Sequence, residues 1–411
     1  MKPFLSILIP TRNRAAYLKY AIQSAINIRA EDIEIIVSEN HSSDSSLEVC
    51  NSFSDPRLKV IRPSSPVPMH ENWEFLLKEA RGEWVTFVGD DDAVMPHCVD
   101  HLRYLCKKYP QAEAILSPKA YYFWDGCQEV YGDSTVNISI KAGEKWRDSK
   151  KELKRCLNGV NDYRNLPEMY SGGFQRRTLI NRVFRAQNGL YFRSVTPDAY
   201  SALMSVIFTY QFLETGVPMV WVGTSPHRNL ESDQFSHKDR KADFWGMHSE
   251  DSLTINRSLG DLEQFTFPLV FFEAYISAFP LTSYSELSLE KVRSLFLDAV
   301  KEFRRHGNEA AVEKLASNLG FSIPSSRDLG STVTRLCDYF FRRVGRIFRL
   351  AKGYALAKIG REAFAPIYSY RSTSQQTHPD ILSCDSLISE GYEQWLKKNR
   401  IQQTKGSRAE I

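Results

Sequence analysis

Apolar and polar positions change period repeatedly along the first hundred or so residues. Leu5–Ile9 is a short β-rich apolar run that stops at Pro10-Thr11-Arg12. It is too short for the apolar core of a secretion signal and reads as a buried strand. Leu18, Ala21, Ile22, Ala25 and Ile26 then recur at helical spacing within 14–27. Ile33–Val37 is uninterrupted and apolar, as in strands buried on both faces of a parallel sheet. A polar turn, Ser38–Asp44, leads to a short helix ending near Phe53, and Leu58–Ile61 predicts a third strand. Trp73, Leu76, Leu77 and Ala80 predict a helix over 71–80, closed by Gly82. Trp84–Val88 predicts a fourth strand that runs into Gly89-Asp90-Asp91-Asp92. Pro96 opens a helix through Tyr109, and Glu113–Ser117 predicts a fifth strand.

This β-α-β-α order predicts an α/β domain with a mostly parallel sheet and helices on both faces. Ligands of such sheets bind outside the carboxyl ends of the strands. Three polar clusters fall at those ends, Pro10–Arg14, Glu39–Asp44 and Asp90–Asp92, and are expected to line one crevice. Adjacent carboxylates repel, and burial raises their pKa values. Mg²⁺ or Mn²⁺, which take one or two protein carboxylates plus phosphate oxygens, would offset that cost. In an extended chain Asp90 and Asp92 point to one side and Asp91 to the other, so Asp90 and Asp92 are paired at the site. A solvated acidic turn is the alternative. No GxGxxG, GxxxxGK[ST], GxSxG or HExxH occurs, which removes support for dinucleotide, Walker, esterase and zincin chemistry.

Composition narrows the classes further. At 411 residues the chain predicts two or three structural units, and 42% hydrophobic with 25% charged residues is the balance of a globular protein. Net charge +4 gives no reason to expect a nucleic-acid partner. The seven cysteines are scattered without a CxxC pair, which speaks against zinc ribbons and thioredoxin chemistry and for reduced thiols in a cytoplasm. No apolar run is long enough to span a bilayer.

Three segments together carry a resemblance: Ser6–Arg14 (SILIPTRNR), Ile35–Asp44 (IIVSENHSSD) and Gly82–Asp92 (GEWVTFVGDDD). They resemble the family-2 glycosyltransferases of the GT-A fold, over about 1–235 and most strongly over 4–110. The resemblance implies an inverting transferase that uses a nucleotide-diphosphate sugar, a UDP-sugar foremost, with Mn²⁺ or Mg²⁺. By position it implies that Pro10 and Thr11 form the first nucleotide-contacting turn and that Arg14 faces a phosphate. Glu39 stands where the family usually has a base-contacting Asp, and Asn72 matches a family Asn or is a helix-surface amide. Asp90, with Asp91 beside it, falls to the donor, and Asp90 and Asp92 fall to the metal. Thr196–Ser201 resembles the segment that supplies the catalytic base, here Asp198, although Pro197 replaces a frequent Glu. Pro-Asp is also a good helix start. His227, after the apolar strand Met219–Val222, either completes the metal shell or is a structural hydrogen-bonder. Ser171-Gly172-Gly173-Phe174 either lets backbone approach a ligand or is a plain turn.

The expected organisation is a catalytic domain over 1–250, with a nucleotide-sugar half to about 120 and an acceptor half beyond it, and an α-helical region over 251–411. Leu289, Val292, Phe296, Ala299 and Phe303 share a helical face after Ser288, and 311–320 continues helically. Segment 332–370 carries net +6 while the rest of the chain sums to −2. Its basic amphipathic helix, about 332–362, suits an anionic membrane surface or packing on protein, a second subunit included. Residues 371–411 are polar and expected to fray. The whole reads as a cytoplasmic enzyme, peripheral on the inner face of the cell membrane, acting on a glycan or lipid-linked acceptor of bacterial surface polysaccharide. Nucleotidyl transfer by the same Asp pair, or a catalytically degenerate scaffold, are the alternatives.

Overall fold

The computed structural model describes residues 2–127, 135–158, 160–226, 267–278, 313, 316–317, 366–372 and 378–406. The first half alternates as its periodicity predicts, with β1 Leu5–Thr11, α1 Ala15–Ile26, β2 Ile33–Glu39, α2 Ser46–Asn51, β3 Leu58–Ile61, α3 Met69–Glu79, β4 Trp84–Phe87, α4 Cys98–Lys108 and β6 Ala114–Leu116; the short strand β5 Ala93–Val94, before α4, was not predicted. Then come β7 Ala120–Phe123, β8 Val136–Lys141, β9 Glu144–Asp148, α5 Ser149–Leu157, β10 Gly173–Arg176, α6 Arg177–Ala186, α7 Pro197–Ile207, β11 Gln211–Thr215 and β12 Val220–Thr224. Helix α8 Phe267–Ala278, strand β13 Pro366–Ser372 and helix α9 Asp385–Gly406 complete the described elements.

The main sheet has the order β3-β2-β1-β4-β10-β6-β11-β9. Strands β10 and β9 run against the other six. Alternate strand residues serve opposite faces. Leu8, Ile36, Val85 and Phe87 pack with α3, α5, α6, α7 and α8. Leu5, Ile7, Ile9, Ile35 and Val37 pack with α1 and α4. Helices therefore cover both faces, as expected. Strands β1 and β2 run past their apolar cores, because Pro10↔Ser38 and Thr11↔Glu39 continue the parallel ladder.

A second sheet, β13-β8-β7-β12-β5, was not anticipated. Its edge strand β13 pairs antiparallel with β8 and straddles the start of the region expected to fray, 371–411, which also supplies α9. Helix α9 covers this sheet with Ile388 and Trp395, which join Ala93, Tyr122, Ile138 and Trp221 in one cluster. Polarity alone hid this, since the few large apolar side chains of 366–396 all fall on the packed faces. His227, the helix expected over 289–303 and the basic helix 332–362 lie outside the described residues, as does most of 311–320. Among the described residues no helix is long and apolar enough to cross a membrane.

Candidate active site

The three polar clusters meet at the carboxyl ends of β1, β2 and β4. Asn40 N–H donates to Thr11 O at 3.0 Å. Asp44 accepts the Ala15 N–H at 3.0 Å and so caps α1 from the neighbouring turn. Asn13 and Ser43 join the same turns, Ser43 N–H reaching Asn13 Oδ1 at 2.7 Å. Non-glycine residues with positive φ are costly and cluster at functional turns. Asn13 (55°), His41 (53°) and Ser171 (50°) lie in this region, and Asn188 (55°) is the fourth among the described residues.

Arg14 ties the first cluster to the third. Its Nε donates to Asp90 Oδ1 at 3.0 Å and a terminal nitrogen donates to Asp91 Oδ2 at 2.9 Å. The three side chains are 15%, 13% and 8% exposed, so the pairing is mostly withdrawn from water. Burial raises the Asp90 pKa, the Arg14 charge pulls it back, and Asp91 adds to the rise. Burial alone would lower the Arg14 pKa, but the two carboxylates outweigh it and hold the group firmly cationic. Ser225 Oγ donates to Asp91 Oδ2 at 2.5 Å, and Trp124 Nε1 donates to the Asp91 carbonyl at 2.9 Å.

Asp92 does not sit where alternation placed it. The chain turns after Gly89 instead of staying extended, with Asp92 N–H on Gly89 O at 3.1 Å. The Asp92 side chain is fully buried. One oxygen accepts the Gly89 N–H at 3.0 Å and the other the Gly223 N–H at 2.7 Å. Burial, then the nearby Asp91 charge, push its pKa up to about 7. Asp92 thus locks the acidic turn onto β12 rather than facing the crevice. Gly223 is required there, because a Cβ would lie 1.6 Å from the Asp91 carbonyl oxygen. Asp90 and Asp91, both paired with Arg14, keep slightly more exposure, 13% and 8%. With Arg14 they carry net −1, a donor set that fits one divalent cation completed by phosphate and water oxygens. Among the described residues no group of three His, Cys, Asp or Glu side chains could hold a metal ion.

Two other expected donor contacts are turned inward. Glu39 is fully buried, ion-paired to Arg62 at 2.7 Å and bonded to the Ser42 N–H at 2.5 Å. Asn72 is a buried amide rather than a helix-surface one, accepting from Ser38 Oγ at 2.5 Å. Pro10 is half-buried and Thr11 buried at the end of β1. The 171–174 turn serves the chain itself: a Cβ on Gly173 would lie 1.5 Å from the Glu168 carbonyl oxygen.

Asp198 stands in the first turn of α7, after the N-cap Thr196 and Pro197. It is half-buried, and Tyr163 Oη donates to its Oδ2 at 2.9 Å. Beside it lies the buried Glu168, paired with Lys119. Burial pushes the Glu168 pKa up to about 7, against the pull of Lys119 and with the push of Asp198. The strip 168–170 connects Asp198 to the acidic turn. Met169 N–H donates to Ser201 Oγ at 2.9 Å, and Ser201 Oγ donates to Asp198 O at 2.8 Å. Phe87 N–H donates to Met169 O at 2.9 Å, and Tyr170 Oη bonds Asp92. Tyr163, Tyr170, Ser225 and Gly223 escaped the sequence reading. Only Ser225 carried a local signal, at the end of the apolar run that forms β12.

Sheet order, the antiparallel insert β10 and the acidic turn after β4 together define a GT-A-type α/β domain. Residues 6–164 match the family model described as glycosyl transferase family 2. The chain is 38% identical over 96 residues to the GalNAc(5)-diNAcBac-PP-undecaprenol beta-1,3-glucosyltransferase of Campylobacter jejuni, covering 23% of this chain and 31% of that protein. It is 27% identical over 188 residues to the minor teichoic acid biosynthesis protein GgaA of Bacillus subtilis, covering 43% and 38%. These matches span about a third of the relatives' own length. S. aureus TarS in complex with UDP-GlcNAc is similar in structure at a TM-score of 0.43 and 14% identity, covering 78% of this chain and 93% of that one. PcManGT from Pyrobaculum calidifontis, in complex with GDP-Man and Mn²⁺, gives 0.42 and 13%, covering 87% and 81%.

Proposed function

We propose that the protein is a metal-dependent, inverting glycosyltransferase that moves a sugar from a nucleotide-diphosphate sugar, a UDP-sugar foremost, to a hydroxyl of a glycan or lipid-linked acceptor in bacterial surface-polysaccharide assembly. The observation that carries the reading is the Arg14–Asp90–Asp91 cluster at the strand ends of a family-2 domain, joined by a short strip to Asp198. The acceptor class is supported by the relatives named for an undecaprenol-linked substrate and for teichoic acid.

In this reading Arg14 and the turns after β1 and β2 receive the nucleotide diphosphate. Asp90 and Asp91 hold Mn²⁺ or Mg²⁺, which neutralises charge on the leaving diphosphate when bound. Asp198 accepts the proton of the acceptor hydroxyl as that oxygen attacks the anomeric carbon. The nucleoside diphosphate departs from the opposite face, so configuration inverts. Tyr163 occupies Oδ2 of Asp198 and thereby directs Oδ1 to the acceptor. The enzyme would work in the cytoplasm with its basic segment 332–362 against the anionic inner membrane face.

The test is nucleotide release from a panel of UDP- and GDP-sugars with Mn²⁺, comparing wild type with Asp198→Asn. Wild type should release nucleotide, and the variant should lose turnover by about a hundredfold or more while keeping donor affinity. Full turnover in the variant would discard Asp198 as the base. No release from any donor would leave the domain without the proposed activity.

A further inference from the structure

The segment that delivers Asp198 is gripped from two sides by buried carboxylates that lie outside every motif considered above. Glu74, on α3, accepts the Tyr191 and Phe192 N–H groups on one oxygen, each at 2.9 Å. Its other oxygen pairs with Lys78 at 3.3 Å. Glu273, on α8, is fully buried. It accepts from Ser194 Oγ, from Thr196 Oγ1 at 3.4 Å, from Ser277 Oγ at 3.0 Å and from the Val195 N–H. Thr196 is the N-cap of the helix that carries Asp198.

Burying a carboxylate is costly unless its oxygens are satisfied, and here each carboxylate spends one oxygen on the same stretch of chain while the other meets Lys78 or Ser277 of its own helix. Glu74 lies on the same helix as Asn72 and Trp73. Phe192 packs edge-on against Trp73 at 5.8 Å and Phe87 at 5.9 Å, so the stretch is also anchored to the last residue of β4, just before the acidic turn. Buried amides extend the grip into α7. Gln187 accepts from Tyr200 Oη at 2.6 Å and donates to Tyr191 O at 2.9 Å, and Gln175 donates to Ser201 O at 3.0 Å.

We propose that Glu74 and Glu273 are positioning residues that clamp residues 191–196 and so fix Asp198 relative to the Asp90–Asp91 turn. The inference rests on the reading of Asp198 as the base. It gives α8, which lies beyond the segment that matches the family, a direct part in the geometry of the site.

The test uses the full chain and its Glu74→Ala, Glu74→Gln, Glu273→Ala and Glu273→Gln variants. Two readouts are taken: UDP release from UDP-glucose, UDP-GlcNAc and UDP-galactose with Mn²⁺, and hydrogen exchange of the peptide covering 190–198. A displaced base costs turnover rather than donor binding, so the alanine variants should lose about tenfold or more in kcat with the donor KM within about twofold. Exchange of 190–198 should quicken. The glutamine variants keep an acceptor oxygen and should recover part of the loss; they carry the test should an alanine variant fail to fold. Folded variants of either kind with wild-type kcat despite faster exchange would overturn the clamp. So would equal losses in kcat and donor affinity. Wild type inactive on all three donors, or Asp198→Asn still active, would instead overturn the base reading on which the clamp depends.

Discussion

Arg14→Met removes the guanidinium that bridges Asp90 and Asp91 while keeping most of the apolar stem. Both pairs are hydrogen-bonded, at 3.0 and 2.9 Å, and none of the three side chains is more than 15% exposed. Removing one partner of a buried ion pair leaves an uncompensated charge and costs about 3–5 kcal/mol. The crevice edge admits some water, so the low end, about 3 kcal/mol, applies here. For a domain of roughly 200 residues each kcal/mol shifts Tm by about 2–4 °C, so the variant should melt about 6–12 °C lower in EDTA. A cation held by Asp90 and Asp91 would replace the missing charge. At a hundredfold excess over its Kd, Mn²⁺ should return about 2.7 kcal/mol, nearly the whole deficit. Thermal melts of both proteins across a MnCl₂ titration measure this. The variant should show the steeper response, since Arg14 no longer competes for the carboxylate oxygens. Equal melting temperatures in EDTA, or the same Mn²⁺ response in both proteins, would refute both the energetics and the placement of the cation.

Asp92→Asn should lose about 1–3 kcal/mol in urea unfolding, because an amide can accept from only one of Gly89 and Gly223. Its Mn²⁺ response should persist while that of Asp91→Asn disappears; the reverse pattern would restore Asp92 as the ligand. Trp395→Ala should cost about 3–5 kcal/mol, since this side chain is 1% exposed and fills the cluster between α9 and α4. An unchanged urea midpoint would show that α9 does not hold the second sheet. Burial pushes the His97 pKa down to about 4, against its hydrogen bond to the Pro218 carbonyl. The unfolded chain, with His near 6.5, then binds the proton first, so stability present above about pH 6.5 is lost as pH falls toward 4, by roughly 3 kcal/mol. His97→Phe should flatten the urea midpoint over that window, and an unaltered pH dependence would remove His97 from the acid response.

Sequence alone determined the order and nearly the bounds of β1 to β4 and of β6, because strand and helix periods are local and each apolar run there has a face to bury; the two-residue β5 left no such signal. It also placed three polar turns at the strand ends of a parallel sheet, and the structure brings them into contact. What the sequence could not decide was where each side chain in those turns points. Alternation assigned Asp92 to the crevice, yet the chain bends after Gly89, and a glycine about 130 residues away on β12 supplies the N–H that draws Asp92 inside. Glu39 and Asn72 are turned inward by Arg62, Ser42 and Ser38 in the same way. The second sheet depends on β13 finding β8 across more than two hundred residues. The stretch before Asp198 depends on carboxylates from α3 and α8. Hydrogen bonds between distant segments leave no periodic trace in the chain, so only tertiary structure decided which carboxylates keep some exposure and which hold the fold together.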